Sequence, residues 1–240
     1  MTKTAQKPPE QNPENVVIQC SGLSKTYGNG AVQVHALQGV DLSIGPGEFV
    51  SLSGPSGCGK TTLLNIIGGL DRPNGGDVFV QDCWLGSLSN ADLADMRLRR
   101  IGFVFQAYNL IPVLSAIENV EFIMQLQGIP KRERRERARE VLTAVGLETM
   151  ENRRPAALSG GQQQRVAVAR AIASKPAIVL ADEPTANLDS KASDALLELI
   201  GALNKEHGIT FVVASHDPKV IDFAKRHVRM VDGKIISAHD

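Results

Sequence analysis

Apolar residues along this chain follow two spacings, and each marks out different elements. Short, mostly apolar runs at 48–53, 177–181 and 209–213 are too brief for stable helices and read as strands buried on both faces, the pattern of a parallel sheet. Between and after them the spacing changes to that of a helix. An apolar run over 60–70 ends at Gly68-Gly69 and Pro73, and Ala192, Ala195, Leu196, Leu199, Ile200 and Leu203 fall at i, i+3, i+4, i+7, i+8 and i+11, one helical face. Residues 228–231 and 234–237 flank Asp232-Gly233, which predicts a terminal hairpin with a two-residue turn. Ahead of the first buried run, β-rich stretches at 16–18 and 40–44 separated by glycine-bearing turns predict a small antiparallel layer.

The span 89–157 differs from the rest, because helical periodicity predominates there after a short strand at 101–105. The expected organisation is therefore a tail over 1–15, a core with its antiparallel layer over 16–88 and 158–240, and a helical subdomain over 89–157. The tail is rich in Pro, Gln, Asn and Lys, lacks the apolar stretch of a signal peptide and is expected to be disordered. Within the helical span, 131–139 is strongly basic. Glu133 and Glu136 interrupt the run, and Glu133 stands four residues before Arg137, so it reads as a solvated, internally paired helix face.

The chain has 240 residues, enough for one α/β unit with a substantial core. Its 26 basic and 26 acidic residues balance, so no overall field draws it to nucleic acid or anionic lipid. Cys20, Cys58 and Cys83 are odd in number and widely spaced, which argues against a disulfide framework or a structural zinc site and favours a reducing, cytoplasmic setting. No apolar run approaches the roughly 20 residues of a membrane span, so any membrane role is expected to act through a partner.

The chemistry is concentrated between the first buried run and the helix after it. Gly54, Pro55, Ser56, Gly57, Cys58, Gly59, Lys60 and Thr61 satisfy the phosphate-loop pattern G-x-x-x-x-G-K-[ST] in the strand-to-helix context it requires. Glycines let backbone N–H groups turn onto phosphates, Lys60 can neutralise the β and γ oxygens, and the Thr61 hydroxyl suits magnesium. The dinucleotide alternative fails at its third glycine position, which is Thr62, and no ribose-binding acid follows in a βαβ context. The run 177–181 ends in Asp182 and Glu183. Two carboxylates leaving a buried strand call for a cation. Asp182 would hold magnesium, and Glu183 could take a proton from an attacking water; the plainer alternative is an acidic cap for the next helix. Cys58, beside the anion site, is either a thiol with a depressed pKa or an inert occupant.

Leu158-Ser159-Gly160-Gly161-Gln162 adds a glycine-rich helix start in which Ser159 can cap and backbone N–H groups stay open. It resembles the signature motif of the ATP-binding-cassette (ABC) ATPases. The resemblance runs from about residue 16 to the C-terminus and rests on several motifs in order. It implies an α/β P-loop NTPase of ABC type with a RecA-like core, an antiparallel β layer and an α-helical subdomain. It also implies that Tyr27 stacks on adenine, that Gln106 touches magnesium and the water while sensing a membrane partner, and that Asp189, in the segment 186–189, communicates across a dimer. His216 would contact the γ-phosphate; His35, His207, His227 and His239 have no such placement. The nucleotide contacts implied are the loop 54–62, Ser159, Gly160, Gly161, Gln162, Asp182 and Asp189, with ATP and Mg2+ as cofactors and Thr61, Gln106 and Asp182 near the metal.

The segments 64–73, 101–106, 109–110 and 118–120 resemble the macrolide-exporter and lipoprotein-releasing subgroup, with departures at Ala186 and at 122–124. The family's mechanism implies a homodimer in the ATP-bound state, driving a separately encoded transmembrane permease from the inner face of the membrane. A DNA-repair ATPase of the superfamily would carry coiled coils or zinc modules between Lys60 and Asp182, and none is evident. A translation factor normally carries two cassettes, and this chain has one set of motifs. A regulatory ATPase that signals through a membrane partner is the third alternative.

Overall fold

The structure, a computed structural model, describes residues 15–28 and 33–239. The expected disordered tail lies outside the described residues except for Asn15. Two sheets organise the chain. The antiparallel sheet pairs β1 (Ile18–Tyr27) with β2 (Val34–Ile44) on one side and β4 (Gly75–Val80) on the other, and β4 continues to the short β5 (Cys83–Trp84). This layer is larger than the sequence suggests. β4 itself opens on Gly75-Gly76, and β1 carries Gly22 and register shifts at Cys20/Leu23, Leu23/Ser24 and Lys25/Thr26, which break the alternation that marks a strand.

The other sheet has the strand order β10-β9-β3-β8-β7-β6. Its central members β3 (Phe49–Ser53), β7 (Ile178–Asp182) and β8 (Thr210–Ala214) are the three apolar runs, and they pair in parallel. β6 (Ile101–Val104) adds in parallel to β7, so the strand inside the span 89–157 lies in the large sheet. β9 (Arg226–Val231) lies parallel to β3 and turns through Asp232 and Gly233, both with positive φ, into β10 (Lys234–His239), the hairpin expected from the dipeptide.

Helix α1 (Lys60–Ile67) follows β3 directly and buries Leu63, Leu64, Ile66 and Ile67 against both sheets. Helix α2 (Asn90–Arg100) begins with a capping box between Ser89 and Asp92. Helices α3 (Ala116–Leu126), α4 (Lys131–Ala144) and α5 (Gly160–Ala173) build a separate apolar cluster around Ile117, Val120, Met124, Leu142 and Val166. Helix α6 (Ser190–His207) buries Leu196, Ile200 and Leu203, as its periodicity requires, and Leu197 beside them. The short α7 (Pro218–Phe223) follows β8 and packs against β3 and α6.

The charged run in α4 departs from expectation. Arg135 pairs with Glu121 of α3 at 3.1 Å and Arg139 with Glu151 at 3.0 Å, whereas Glu133 and Arg137 do not pair with each other. Burial pushes the Arg137 guanidinium below its ordinary pKa. The face is therefore partly a seam within the helical cluster, its partners coming from other elements.

Candidate active site

The strand-to-helix junction at the end of β3 sets the site. Gly54 has φ 145° and Gly59 φ 106°, regions that L side chains rarely adopt. A Cβ at Gly54 would run into the Met230 carbonyl of β9, and one at Gly59 into the Ala36 carbonyl of β2, so both sheets press on the loop where only glycine fits. Lys60 is 7 % exposed, and its Nζ donates to the Gly54 carbonyl at 2.8 Å and the Pro55 carbonyl at 3.1 Å, folding the side chain back under the loop. Cys58 is buried at 3 %, and its carbonyl accepts the Gly233 N–H at 3.1 Å. The loop is thus pinned from below while Ser56 and Gly57 face outward.

The end of β7 brings the carboxylates alongside. The Thr61 hydroxyl donates to Asp182 Oδ2 at 2.9 Å, and Asp182 Oδ1 is buried with no hydrogen-bond partner among the described residues. Burial pushes the Asp182 carboxyl above its ordinary pKa and the Glu183 charge adds to this, while Thr61 and Lys60 act the other way. An unpartnered buried carboxylate oxygen next to a hydroxyl matches the oxygen donors that magnesium prefers, so these residues fit the metal.

Glu183 sits at φ 45°, and its carboxylate is held on both oxygens: Oε1 lies 2.8 Å from His216 Nδ1, and Oε2 accepts the Ser215 hydroxyl at 3.1 Å. Ser215 is fully buried and also accepts the Asp217 N–H at 3.1 Å, so the tip of β8 fixes the Glu183 head group. His216 itself is exposed.

Tyr27, Ser56, Gly57, Gly59, Lys60, Thr61, Thr62, Gln106, Asp182, Glu183 and His216 line one cavity of about 610 Å³, completed by Val34 and Ala36. That volume lies within the roughly 300–1,000 Å³ of small-molecule sites. Ser159, Gly160, Gly161, Gln162 and Asp189 are absent from its lining. Ser159 caps α5 in a reciprocal box with Gln162, whose Oε1 accepts the Ser159 N–H at 2.9 Å, and Asp189 caps α6 by accepting the Ala192 N–H at 2.8 Å.

A second set of contacts ties these elements together. Asn187 donates to the Gln106 carbonyl at 2.9 Å, and the buried Gln164 of α5 donates to the Pro184 carbonyl at 2.8 Å. Arg170 of α5 donates to the carbonyls of Asn109 and Tyr108, both at positive φ. Sequence reasoning missed the supporting residues Ser215 and Arg170, whereas Asn187 falls inside the segment 186–189 singled out by the family resemblance. Adjacency to His216 offered a hint of Ser215, and nothing in the spacing announced Arg170.

Comparison with known proteins decides the family. The model of the ABC transporter family matches residues 37–186. The chain belongs to the ABC transporter family. An uncharacterised ABC transporter ATP-binding protein of Thermotoga maritima is 48 % identical over 219 residues, covering 91 % of this chain and 93 % of that protein. The lipoprotein-releasing system ATP-binding protein LolD of Anaeromyxobacter dehalogenans is 47 % identical over 221 residues, covering 92 % of each. Among solved structures, the post-hydrolysis dimer of a Methanocaldococcus jannaschii ATP-binding cassette bound to ADP and Pi superposes with a TM-score of 0.86 at 44 % identity, over 93 % of this chain and 98 % of that one.

This ABC subunit binds and hydrolyses ATP, with Mg2+ as the metal of the family. No helix among its described residues is long and apolar enough to cross a membrane.

Proposed function

We propose that two copies of this chain close head to tail on two MgATP, the loop 54–61 of each facing the Ser159 end of α5 in the other. The pair would act on a permease of the macrolide-exporter and lipoprotein-releasing kind from the inner face of the membrane. One observation supports this reading above others: the phosphate loop, both carboxylates, Gln106 and His216 share a cavity, while Ser159, Gly160 and Gly161 lie outside it. Within a single chain the γ-phosphate is approached from one side only, and the missing donors are those of the glycine-rich helix start. The dimeric form of the archaeal relative and the likeness to LolD agree with it.

In this reading Lys60 leaves the Gly54 and Pro55 carbonyls for the β and γ oxygens, and Tyr27 stacks on the adenine. Thr61 and Asp182 hold Mg2+, which when bound neutralises charge on the phosphates. Glu183, aimed by Ser215 and His216, accepts the proton of the attacking water, and His216 turns from Glu183 to the γ-phosphate as the second copy closes. The helical subdomain, 89–157, carries the motion to the permease through Gln106.

Glu183→Gln tests the assignment. The variant is expected to bind MgATP as tightly as the parent and to hydrolyse it at least about 10²-fold more slowly, accumulating an ATP-dependent dimer in size-exclusion chromatography. Turnover at the parental rate would remove Glu183 from the chemistry.

A further inference from the structure

Beside the phosphate cavity lies a three-residue cluster that the hydrolysis chemistry does not use. The Tyr27 hydroxyl donates to Asp71 Oδ2 at 2.7 Å, and Lys25 Nζ donates to Asp71 Oδ1 at 2.6 Å. The same ammonium stands 4.9 Å from the centre of the Tyr27 ring, within cation–π range. It also donates to the Arg72 carbonyl at 2.7 Å, so its position is fixed twice. Lys25 is 9 % exposed, whereas Tyr27 keeps 40 % of its surface open and lines the phosphate cavity.

Asp71 comes from a different element than the ring it holds. It follows the end of α1, where the Leu70 and Asp71 N–H groups both return to the Asn65 carbonyl. The helix that starts at the phosphate-binding Lys60 therefore ends in the carboxylate that orients the ring. Burial raises the pKa of the Asp71 carboxyl, but the hydrogen bonds from Lys25 and Tyr27 outweigh it and hold the group below its ordinary value, so it is ionised at neutral pH.

We propose that Asp71 is a positioning residue for the nucleobase: by gripping the Tyr27 hydroxyl and drawing Lys25 against the ring, it fixes one aromatic face for the base to stack on. A free tyrosine on an exposed strand end would lose rotamer freedom each time a base bound; this one has lost it already. The inference rests on the reading of Tyr27 as the adenine platform. Asp71 is not needed to join β1 to this strap, because the Asn74 side chain accepts the Thr26 N–H at 2.6 Å and the Asn74 N–H reaches the Ser24 carbonyl at 2.8 Å. Its removal therefore leaves the two segments joined.

The test compares MgATP with magnesium tripolyphosphate, which has the phosphates and no base, by titration calorimetry on the full chain. Asp71→Ala is expected to weaken MgATP about five- to tenfold, a fraction of the stacking contribution, and to change tripolyphosphate affinity less than about twofold. Asp71→Asn, which still accepts the phenol proton, is expected to recover most of the loss. If Asp71→Ala weakens both ligands alike, Asp71 merely supports α1 and the inference fails. If Tyr27→Ala alters the ratio of the two affinities and Asp71→Ala does not, the inference fails while the platform reading stands. If Tyr27→Ala leaves that ratio unchanged, the platform reading fails and the inference with it.

Discussion

Asp182 is the residue at which folding and function oppose each other. Its carboxyl is pushed above the ordinary aspartate pKa, mainly by burial, and its Oδ1 has no partner among the described residues. The stability tied to a raised acid is fully present below the unfolded-state pKa of about 3.9 and is lost as pH rises through the higher folded value. Above that value the ionised group therefore weighs against the nucleotide-free fold. Asp182→Asn is expected to melt above the parent at pH 7 without nucleotide, with the gap closing as pH falls towards 4. Adding MgATP should raise the melting temperature of the parent more than that of the variant, since the amide oxygen that remains carries no negative charge to offer the metal. A variant that melts lower at pH 7 without nucleotide would show that the carboxylate stabilises the fold. At this scale the sequence was informative: loop, lysine, threonine and paired acids could be read from residue type and order alone. What it could not supply was the company each keeps, such as Ser215 on Glu183 or Asp71 on Tyr27, because those partners are 32 and 44 positions away.

Elements were legible in proportion to how cleanly one face is buried. β3, β7 and β8 are buried almost throughout, and their apolar runs gave them away, as the Asp232-Gly233 turn gave away the final hairpin. β4 and β5 were not foreseen, since a glycine-led strand of mixed exposure beside a two-residue one has no clear period. Nor does periodicity say which strand lies beside which: β6 comes from a helical stretch and joins the edge of the large sheet. Gly102 is what allows that join. A Cβ there would meet the Ala171 carbonyl of α5 at 2.5 Å, so strand and signature helix touch backbone to backbone. Gly102→Ala is expected to destabilise the fold by about 1–3 kcal/mol, or roughly 2–10 °C in melting temperature for a chain of this size. Gly75→Ala in β4, where a Cβ meets nothing within 4 Å, should stay within about 1 kcal/mol of the parent. Equal melting shifts for the two would mean that α5 can slide away from β6 without penalty.

Across the whole molecule, the decisive feature is that the phosphate loop and the glycine-rich start of α5 do not share a cavity. The cavity holds Lys60, Asp182 and Glu183, while Ser159 is exposed at the start of α5, outside that lining. A dimer in which each site takes its loop from one copy and its helix start from the other makes an unusual demand on mixtures of inactive variants. Lys60→Ala removes the counter-charge for the phosphates. Ser159→Phe, at an exposed position, blocks the approach of the second copy with the modest loss of one helix cap, about 1 kcal/mol. Each homodimer then has two broken sites. A heterodimer has one site broken twice and one fully intact, formed by the loop of the Ser159→Phe chain and the helix start of the Lys60→Ala chain. Random pairing makes half of the dimers mixed, so independent sites would return about a quarter of the parental hydrolysis from two inactive preparations. Coupling between the sites would lower that figure, but any rate above the sum of the separate variants requires a site shared between chains. A mixture as inactive as its components would mean that no intact site forms between one copy's loop and the other's helix start.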